Sequence, residues 1–270
     1  MLPVAPRYTP SVTLELRNVS KSYDGGRTHA VDDVSFAAAP GELVVLVGES
    51  GCGKTTTLKM INRLVESTAG QVLVNGADVA ATDPVELRRS IGYVFQGIGL
   101  FPHMSVRRNV GIIPRLLGWD EGRVSDRVTE LLEMVHLNPG DYGARMPAEL
   151  SGGQRQRVGF ARALAAGPSL MLLDEPFGAL DPITREELRT EFRQIQDLLR
   201  LAAVLVTHDM TEALLIADQI IVMCNGRILR QGSPGEMMRD PGDPYVARLM
   251  ESPTRDAERL ATMAGERTPS

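Results

Sequence analysis

The stretch that decides the fold is Gly48-Glu49-Ser50-Gly51-Cys52-Gly53-Lys54-Thr55. It fits the phosphate-loop pattern of a glycine, any four residues, a second glycine, a lysine and a hydroxyl residue. Glycines let consecutive backbone N–H groups turn inward and approach phosphate oxygens without a Cβ atom in the way. Lys54 adds a positive charge for the terminal phosphates, and Thr55 can offer its hydroxyl to Mg²⁺. The stretch therefore predicts a nucleotide-binding loop.

The residues on either side of this loop supply the context that the pattern requires. Leu43–Val47 is an uninterrupted apolar run, which favours a strand buried on both faces of a parallel sheet. Apolar residues then recur at helical spacing from Leu58 to Val65, so a helix should begin near Gly53 and point its N-terminal dipole at the phosphates. The residues predicted to bind ATP here are Gly48, Glu49, Ser50, Gly51, Cys52, Gly53, Lys54, Thr55 and Thr56.

The other apolar patterns predict an α/β fold. Alternating residues in Val12–Leu16 and Val31–Phe36 indicate half-buried strands, and Leu170–Leu173 and Ala203–Val206 indicate buried ones. A short strand is expected at Gln71–Val74. Strands that alternate with helices imply a parallel sheet covered by helices. The range from about Val85 to Arg162 is predicted to be largely helical, as an insertion into that sheet domain.

Two carboxylates end the apolar run that precedes them. Asp174, at the carboxyl end of the strand, can hold Mg²⁺ directly or through water. Glu175 is then placed to accept a proton from an attacking water. An acidic pair after a strand is often only a solvated strand end, but its coupling to a phosphate loop favours the functional interpretation.

The segment Leu150-Ser151-Gly152-Gly153-Gln154-Arg155-Gln156 discriminates between classes of phosphate-loop protein. A Ser-Gly-Gly triplet before a helix can be simply an N-cap. The helix that follows, with Val158, Phe160 and Leu164 on its apolar positions, also makes it a second helix N-terminus able to hold a phosphate.

With this segment, the chain resembles the ATP-binding subunits of ABC transporters, from about Leu14 to Leu249. The resemblance rests on six motifs in the family's order, and it implies a P-loop NTPase with a RecA-like parallel-sheet core, an N-terminal antiparallel β subdomain and an inserted α-helical subdomain. The motifs are Walker A at Gly48–Thr55, the Q-loop glutamine Gln96, the signature Leu150–Gln154, Walker B at Asp174 and Glu175, the D-loop Ala179-Leu180-Asp181 and the switch segment Thr207-His208-Asp209. Tyr23 lies where the family keeps an aromatic residue that stacks on adenine, although a tyrosine near a turn is commonly just packed.

The resemblance also implies a mechanism in which two ATP molecules lie between two nucleotide domains arranged head to tail. Each ATP would be contacted by the Walker A loop of one subunit and by Ser151, Gly153 and Gln154 of the other, with Asp181 nearby. The implied catalytic residues are Glu175, His208 and Gln96, and the implied Mg²⁺ ligands are Thr55, Gln96 and Asp174. His208 would contact the γ-phosphate, and Gln96 would connect the site to a membrane subunit.

The type of transporter is suggested by three segments, Lys59–Leu64, Ile91–Met104 and Pro114–Trp119. They resemble the ATPases of importers for glycine betaine, proline betaine, choline, carnitine and related osmoprotectants. In such importers a permease subunit docks after the Q-loop, here near Gln96–Met104, where Phe101, Pro102 and Met104 are expected to be exposed. An extracytoplasmic solute-binding protein would be an indirect partner.

Alternative functions remain open at this point. An importer for another small solute, such as a polar amino acid or a sulfonate, would use a similar ATPase. Soluble ABC ATPases of repair or translation usually carry two nucleotide domains or a long coiled-coil insertion, and neither is seen. A phosphate-loop kinase would leave the signature segment and His208 without a role.

The bulk composition fits a soluble, cytosolic, globular protein, and the resemblance implies a peripheral position on the cytoplasmic face of the cell membrane through a partner. The net charge of -5 argues against broad nucleic-acid binding, and no apolar run approaches the ~20 residues of a membrane span. No signal peptide is recognised, and two isolated cysteines, of which Cys52 is interpreted as a small filler, fit a reducing compartment. The predicted organisation is a nucleotide-binding domain at 12–249 with a helical subdomain at about 86–162, a flexible arm at 1–11 and a polar tail at 250–270. The regulatory CBS domains of many osmoprotectant ATPases are not expected in this chain.

Overall fold

The computed structural model describes residues 12–251 of the 270-residue chain. The arm predicted at 1–11 and nearly all of the predicted tail lie outside these residues. Within the described range, no helix is long and apolar enough to cross a membrane.

Six strands form the central sheet in the order β10-β9-β3-β8-β7-β6. All neighbouring pairs are parallel except β9 and β10, which pair antiparallel at one edge. The strands are β3 Leu43–Val47, β6 Ile91–Val94, β7 Leu170–Asp174, β8 Ala202–Thr207, β9 Gln219–Cys224 and β10 Arg227–Gly232. The predicted parallel-sheet core is therefore confirmed, with one antiparallel edge strand added.

A second, antiparallel sheet has the order β2-β1-β4-β5. Its strands are β1 Leu14–Ser22, β2 His29–Ala38, β4 Ala69–Val74 and β5 Ala77–Asp78. This sheet is the antiparallel β subdomain that the sequence predicts.

Helices flank and interrupt the two sheets. They are α1 Lys54–Ile61, α2 Pro84–Ser90, α3 Val106–Val110, α4 Ile112–Leu116, α5 Glu121–Met134, α6 Pro139–Tyr142, α7 Gly152–Leu164, α8 Pro182–Leu199, α9 Met210–Ile216 and α10 Pro234–Arg239, followed by α11 over residues 244–251. Helix α1 begins at the end of the glycine-rich loop, as predicted, but it ends at Ile61, so Leu64 and Val65 lie beyond it.

The central sheet separates two hydrophobic clusters, which explains why β3 is apolar throughout. Leu43, Val45 and Val47 face the cluster that includes the apolar sides of α5, α7 and α8. Val44 and Leu46 face the other cluster, which includes α1 and the inner face of the antiparallel sheet. A strand buried on both faces cannot alternate apolar and polar residues.

One predicted boundary needs correction. Strand β6 lies inside the range 86–162 that was assigned to the helical subdomain, and it pairs in parallel with β7. The helices that begin at Val106 therefore follow a core strand, and α2 precedes that strand. The run Ile91-Gly92-Tyr93-Val94 is short and contains a glycine, so periodicity gave it no strand signal.

Candidate nucleotide-binding site

The glycine-rich loop follows β3 directly and is packed too closely for side chains at two of its positions. A Cβ atom on Gly48 would lie 2.2 Å from the carbonyl oxygen of Met223, and one on Gly53 would lie 2.4 Å from that of Ala30. Gly53 also has φ of 107°, a region that favours glycine. Both glycines are therefore required by the backbone path, which leads into the N-terminus of α1.

Lys54 folds back over its own loop. Its Nζ donates to the carbonyl oxygens of Gly48 at 2.6 Å and Glu49 at 2.8 Å, and lies 3.5 Å from Cys52 Sγ. Only 5% of Lys54 is exposed, so its charge is directed at the loop and not at bulk water. Cys52 is itself buried beside the lysine, in agreement with its interpretation as a small filler.

Thr55 and Asp174 meet across the sheet edge. Thr55 Oγ1 donates to Asp174 Oδ1 at 3.0 Å, although the residues are 119 positions apart. Burial raises the pKa of Asp174 above its ordinary value, and the Thr55 hydrogen bond opposes that shift. In residues 12–251 no group of three or more His, Cys, Asp or Glu residues could hold a metal alone. A hydroxyl and a carboxylate fit Mg²⁺, which commonly completes its shell with water and substrate phosphates.

We expect Asp174→Asn to raise the melting temperature of the nucleotide-free chain. Because the pKa of Asp174 is raised by folding, the folded chain holds this proton more tightly than the unfolded chain. Ionisation at neutral pH therefore costs stability, and the cost is absent when the pH falls below about 4. The asparagine keeps an oxygen for Thr55 and removes the charge, so thermal unfolding at pH 7 should show a higher melting temperature, by about 2–4 °C for each kcal/mol of recovered stability.

The exposed Asp126 provides the matched control for this prediction. Asp126→Asn should leave the melting temperature at pH 7 unchanged, since its carboxylate is already solvated. Equal melting temperatures for Asp174→Asn and the parent at pH 7 would contradict a buried, destabilising carboxylate at Asp174.

Glu175 lies at the meeting point of two other predicted residues. Gln96 Nε2 donates to Glu175 Oε2 at 3.2 Å, and His208 Nδ1 lies 3.4 Å from Glu175 Oε1. Glu175 has φ of 46°, which is uncommon for a residue with a side chain, and its N–H donates to Val206 O at 3.0 Å. A backbone outlier fixed by its neighbours is a frequent feature of functional sites.

The register of the central sheet explains this grouping. Asp174 of β7 pairs with Val206 of β8, and Thr207 of β8 pairs with Val47 of β3. Parallel strands end at the same edge, so the segments that follow them converge. Gln96 joins them from β6, the next strand along the edge.

The signature segment forms a capped helix start. Ser151 Oγ accepts from the N–H of Gln154 at 3.2 Å, and Gln154 Oε1 accepts from the N–H of Ser151 at 2.9 Å. This capping box fixes the N-terminus of α7. A Cβ atom on Gly153 would lie 2.6 Å from Thr184 Cγ2, so the segment packs against the start of α8.

Asp181 is the N-cap of α8. Its carboxylate accepts from the N–H of Thr184 at 3.0 Å, and hydrogen bonds to Thr184 lower its pKa. The D-loop therefore leads into the helix on which the signature segment packs. Among the hydrogen bonds of residues 12–251, none joins 151–154 directly to 48–56.

Tyr23 follows β1 and is 65% exposed, with Lys21 Nζ at 5.0 Å from its ring centroid. An exposed ring is free to stack on a base.

Two further tyrosines, which no motif singles out, contact the phosphate loop and the signature segment. Tyr245 Oη accepts from the N–H of Glu49 at 3.2 Å, and Tyr142 Oη accepts from Gln154 Nε2 at 3.1 Å. Tyr245 lies 196 positions from Glu49, and neither tyrosine belongs to a recognised motif.

Comparisons with known proteins agree with this geometry. The sequence model of the ABC transporter family matches residues 31–178. The chain therefore belongs to the ABC transporter family, as one of its ATP-binding domains.

The chain is similar to two curated relatives from Bacillus subtilis strain 168. It is 50% identical over 253 residues to the choline transport ATP-binding protein OpuBA, and 49% identical over 262 residues to the glycine betaine/carnitine/choline transport ATP-binding protein OpuCA. These alignments cover 92% and 95% of the chain but only 66% and 68% of the relatives, so the chain spans about two thirds of their length.

Among solved structures, the fold is similar to that of the ATP-binding cassette MJ0796, determined as a dimer in a post-hydrolysis state bound to ADP and Pi. The TM-score is 0.72 at 33% identity, with 82% of this chain and 98% of that chain covered. The expected P-loop fold and membership of the family are thereby confirmed.

Proposed function

We propose that this chain is the ATP-hydrolysing, energy-coupling subunit of an importer for quaternary-amine osmoprotectants such as glycine betaine or choline. The observation that supports hydrolysis best is the Glu175 carboxylate, held between Gln96 and His208. The cargo is inferred from the similarity to transport ATPases for choline, glycine betaine and carnitine.

In the proposed reaction the loop 48–56 binds the phosphates through its backbone N–H groups and Lys54. Thr55, Asp174 and Gln96 would hold Mg²⁺. The ion would supply positive charge that offsets the charge developing on the phosphates. Glu175 orients the attacking water and accepts its proton, and His208 contacts the γ-phosphate.

The second half of each site would come from a partner subunit. Helix N-termini bind anions, and the α7 N-terminus is preformed by its capping box. We propose that Ser151, Gly153 and Gln154 of this segment contact the ATP bound by a second copy. The dimeric state of MJ0796 supports this arrangement.

A permease subunit would dock on the segment after Gln96. Phe95 and Phe101 are 45% and 39% exposed and Pro102 is also exposed, whereas Met104 is half-buried. Arg162 of α7 donates to the carbonyl oxygens of Ile98 at 2.8 Å and Gly99 at 2.7 Å. A movement of this segment caused by the permease would therefore displace both Gln96 and α7, the helix that follows the signature segment. The subunit would then work peripherally, on the cytoplasmic side of the membrane.

The cargo can be tested by searching the genes beside this one for a solute-binding protein and purifying it. Titration of that protein should show binding of glycine betaine or choline, because aromatic cages recognise quaternary ammonium groups. A polar amino acid and a sulfonate serve as controls with similar size and no quaternary amine. Binding of either control in preference to the betaines would contradict the proposed cargo and leave the ATPase assignment intact.

A further inference from the structure

Residues that follow the range matched by the family model, 31–178, contact the backbone of the phosphate loop. Gly48 packs against the carbonyl oxygen of Met223 on β9. The N–H of Gly226, in the turn between β9 and β10, donates to the carbonyl oxygen of Cys52 at 3.0 Å. The edge hairpin thus holds the loop at two points through its backbone.

A third point of support comes from α11 and uses a side chain. Tyr245 Oη accepts a hydrogen bond from the backbone N–H of Glu49 at 3.2 Å, across 196 residues of sequence. Glu49 also supplies a carbonyl oxygen to Lys54 Nζ, at 2.8 Å. The Tyr245 hydroxyl and Lys54 Nζ therefore bind the N–H and the carbonyl oxygen of the same residue, Glu49.

Helix α11 is itself firmly placed, so the hydroxyl has a defined position. Val246 is fully buried and Met250 nearly so, in the same hydrophobic cluster as Val45 and Val47 of β3. The N–H of Tyr245 donates to Asp243 Oδ1 at 2.7 Å. Burial raises the pKa of the Tyr245 phenol, so it remains protonated at neutral pH.

We propose that Tyr245 is a positioning residue for ATP: its hydroxyl holds the Glu49 N–H and thereby keeps the phosphate loop in the shape that accepts phosphates. This inference rests on the proposed role of the loop in binding ATP. A loop released from the hydroxyl would populate its binding-competent shape less often, and the apparent affinity falls by the same fraction. The groups that act on the attacking water do not touch Tyr245, so the hydrolysis step should be unaffected.

The test is Tyr245→Phe, which keeps the ring and removes only the oxygen. The dissociation constant for ATP, measured by titration calorimetry on the full chain, should rise about 2- to 10-fold, as expected for one lost hydrogen bond. The KM for ATP should rise by a similar factor while kcat stays at the parental value. Ser169→Ala is the control, because it removes a hydroxyl that accepts from Asn75 Nδ2 at 2.9 Å, at the end of β7 opposite Asp174, and should leave the ATP affinity unchanged.

Lys54→Ala, measured in parallel, separates this inference from the proposed function. If Lys54→Ala loses affinity while Tyr245→Phe keeps the parental dissociation constant and KM, the positioning role is wrong and the nucleotide site stands. A fall in kcat at unchanged KM in Tyr245→Phe would also overturn it. If Lys54→Ala binds ATP as the parent does, the nucleotide site itself is wrong, and the inference falls with it.

Discussion

Glu175→Gln is expected to bind ATP and to stop hydrolysing it. The substitution keeps the size and hydrogen-bonding reach of the side chain near Gln96 and His208 but removes the group that accepts the proton. General-base catalysis contributes about 10²–10⁴-fold to rates, so ATP turnover should fall by that factor. Unhydrolysed ATP should then hold two chains together, and size-exclusion chromatography with ATP and Mg²⁺ should show a dimer.

The exposed Glu187 offers a matched control for this charge removal. Glu187→Gln should hydrolyse ATP at the parental rate and show no trapped dimer. Adding Ser151→Ala to Glu175→Gln should weaken the dimer, because the signature segment is proposed to contact the partner's nucleotide. A Glu175→Gln chain that stays monomeric at saturating ATP and still hydrolyses it would disprove the shared-site mechanism.

Lys54→Ala is expected to weaken ATP binding strongly. Hydrogen bonds to charged groups contribute about 1.5–3 kcal/mol, so ATP affinity should fall about 10- to 100-fold. The effect should be large because Lys54 is almost fully buried and already directed at the loop carbonyls of Gly48 and Glu49. Titration calorimetry with ATP measures it directly.

Lys59 lies on the same helix, α1, but is exposed. Lys59→Ala should therefore bind ATP nearly as the parent does, which controls for general loss of positive charge near the site. Unchanged affinity in Lys54→Ala would contradict the role assigned to the loop.

Several elements could be predicted from the sequence because their signals are local. The loop 48–55 has a fixed spacing of residue types, and the apolar runs at β3, β7 and β8 are long enough to indicate buried strands. The Ser151 N-cap was visible as a serine before two glycines and a helical pattern. In each case, neighbouring residues along the chain determine the local structure.

Other elements gave too little local signal. Strand β6 has only four residues. The hairpin of β9 and β10 was not predicted, although Asn225-Gly226 between two apolar stretches is a signal for a tight turn between strands. The contacts of Tyr245 with Glu49 and of Tyr142 with Gln154 could not be predicted at all. A tyrosine hydroxyl acquires such a role only through the packing of distant segments.

The sequence by itself determined which chemical groups this protein possesses: the phosphate loop, the two carboxylates after β7, and the histidine and glutamine assigned by resemblance. Only the tertiary structure decided that they meet. Gln96 and His208 lie 79 and 33 residues from Glu175, and they reach it because β6, β7, β8 and β3 are neighbours in one sheet. The physical reason is that strand order is set by the burial of whole strand faces between two hydrophobic clusters, which no short stretch of sequence encodes.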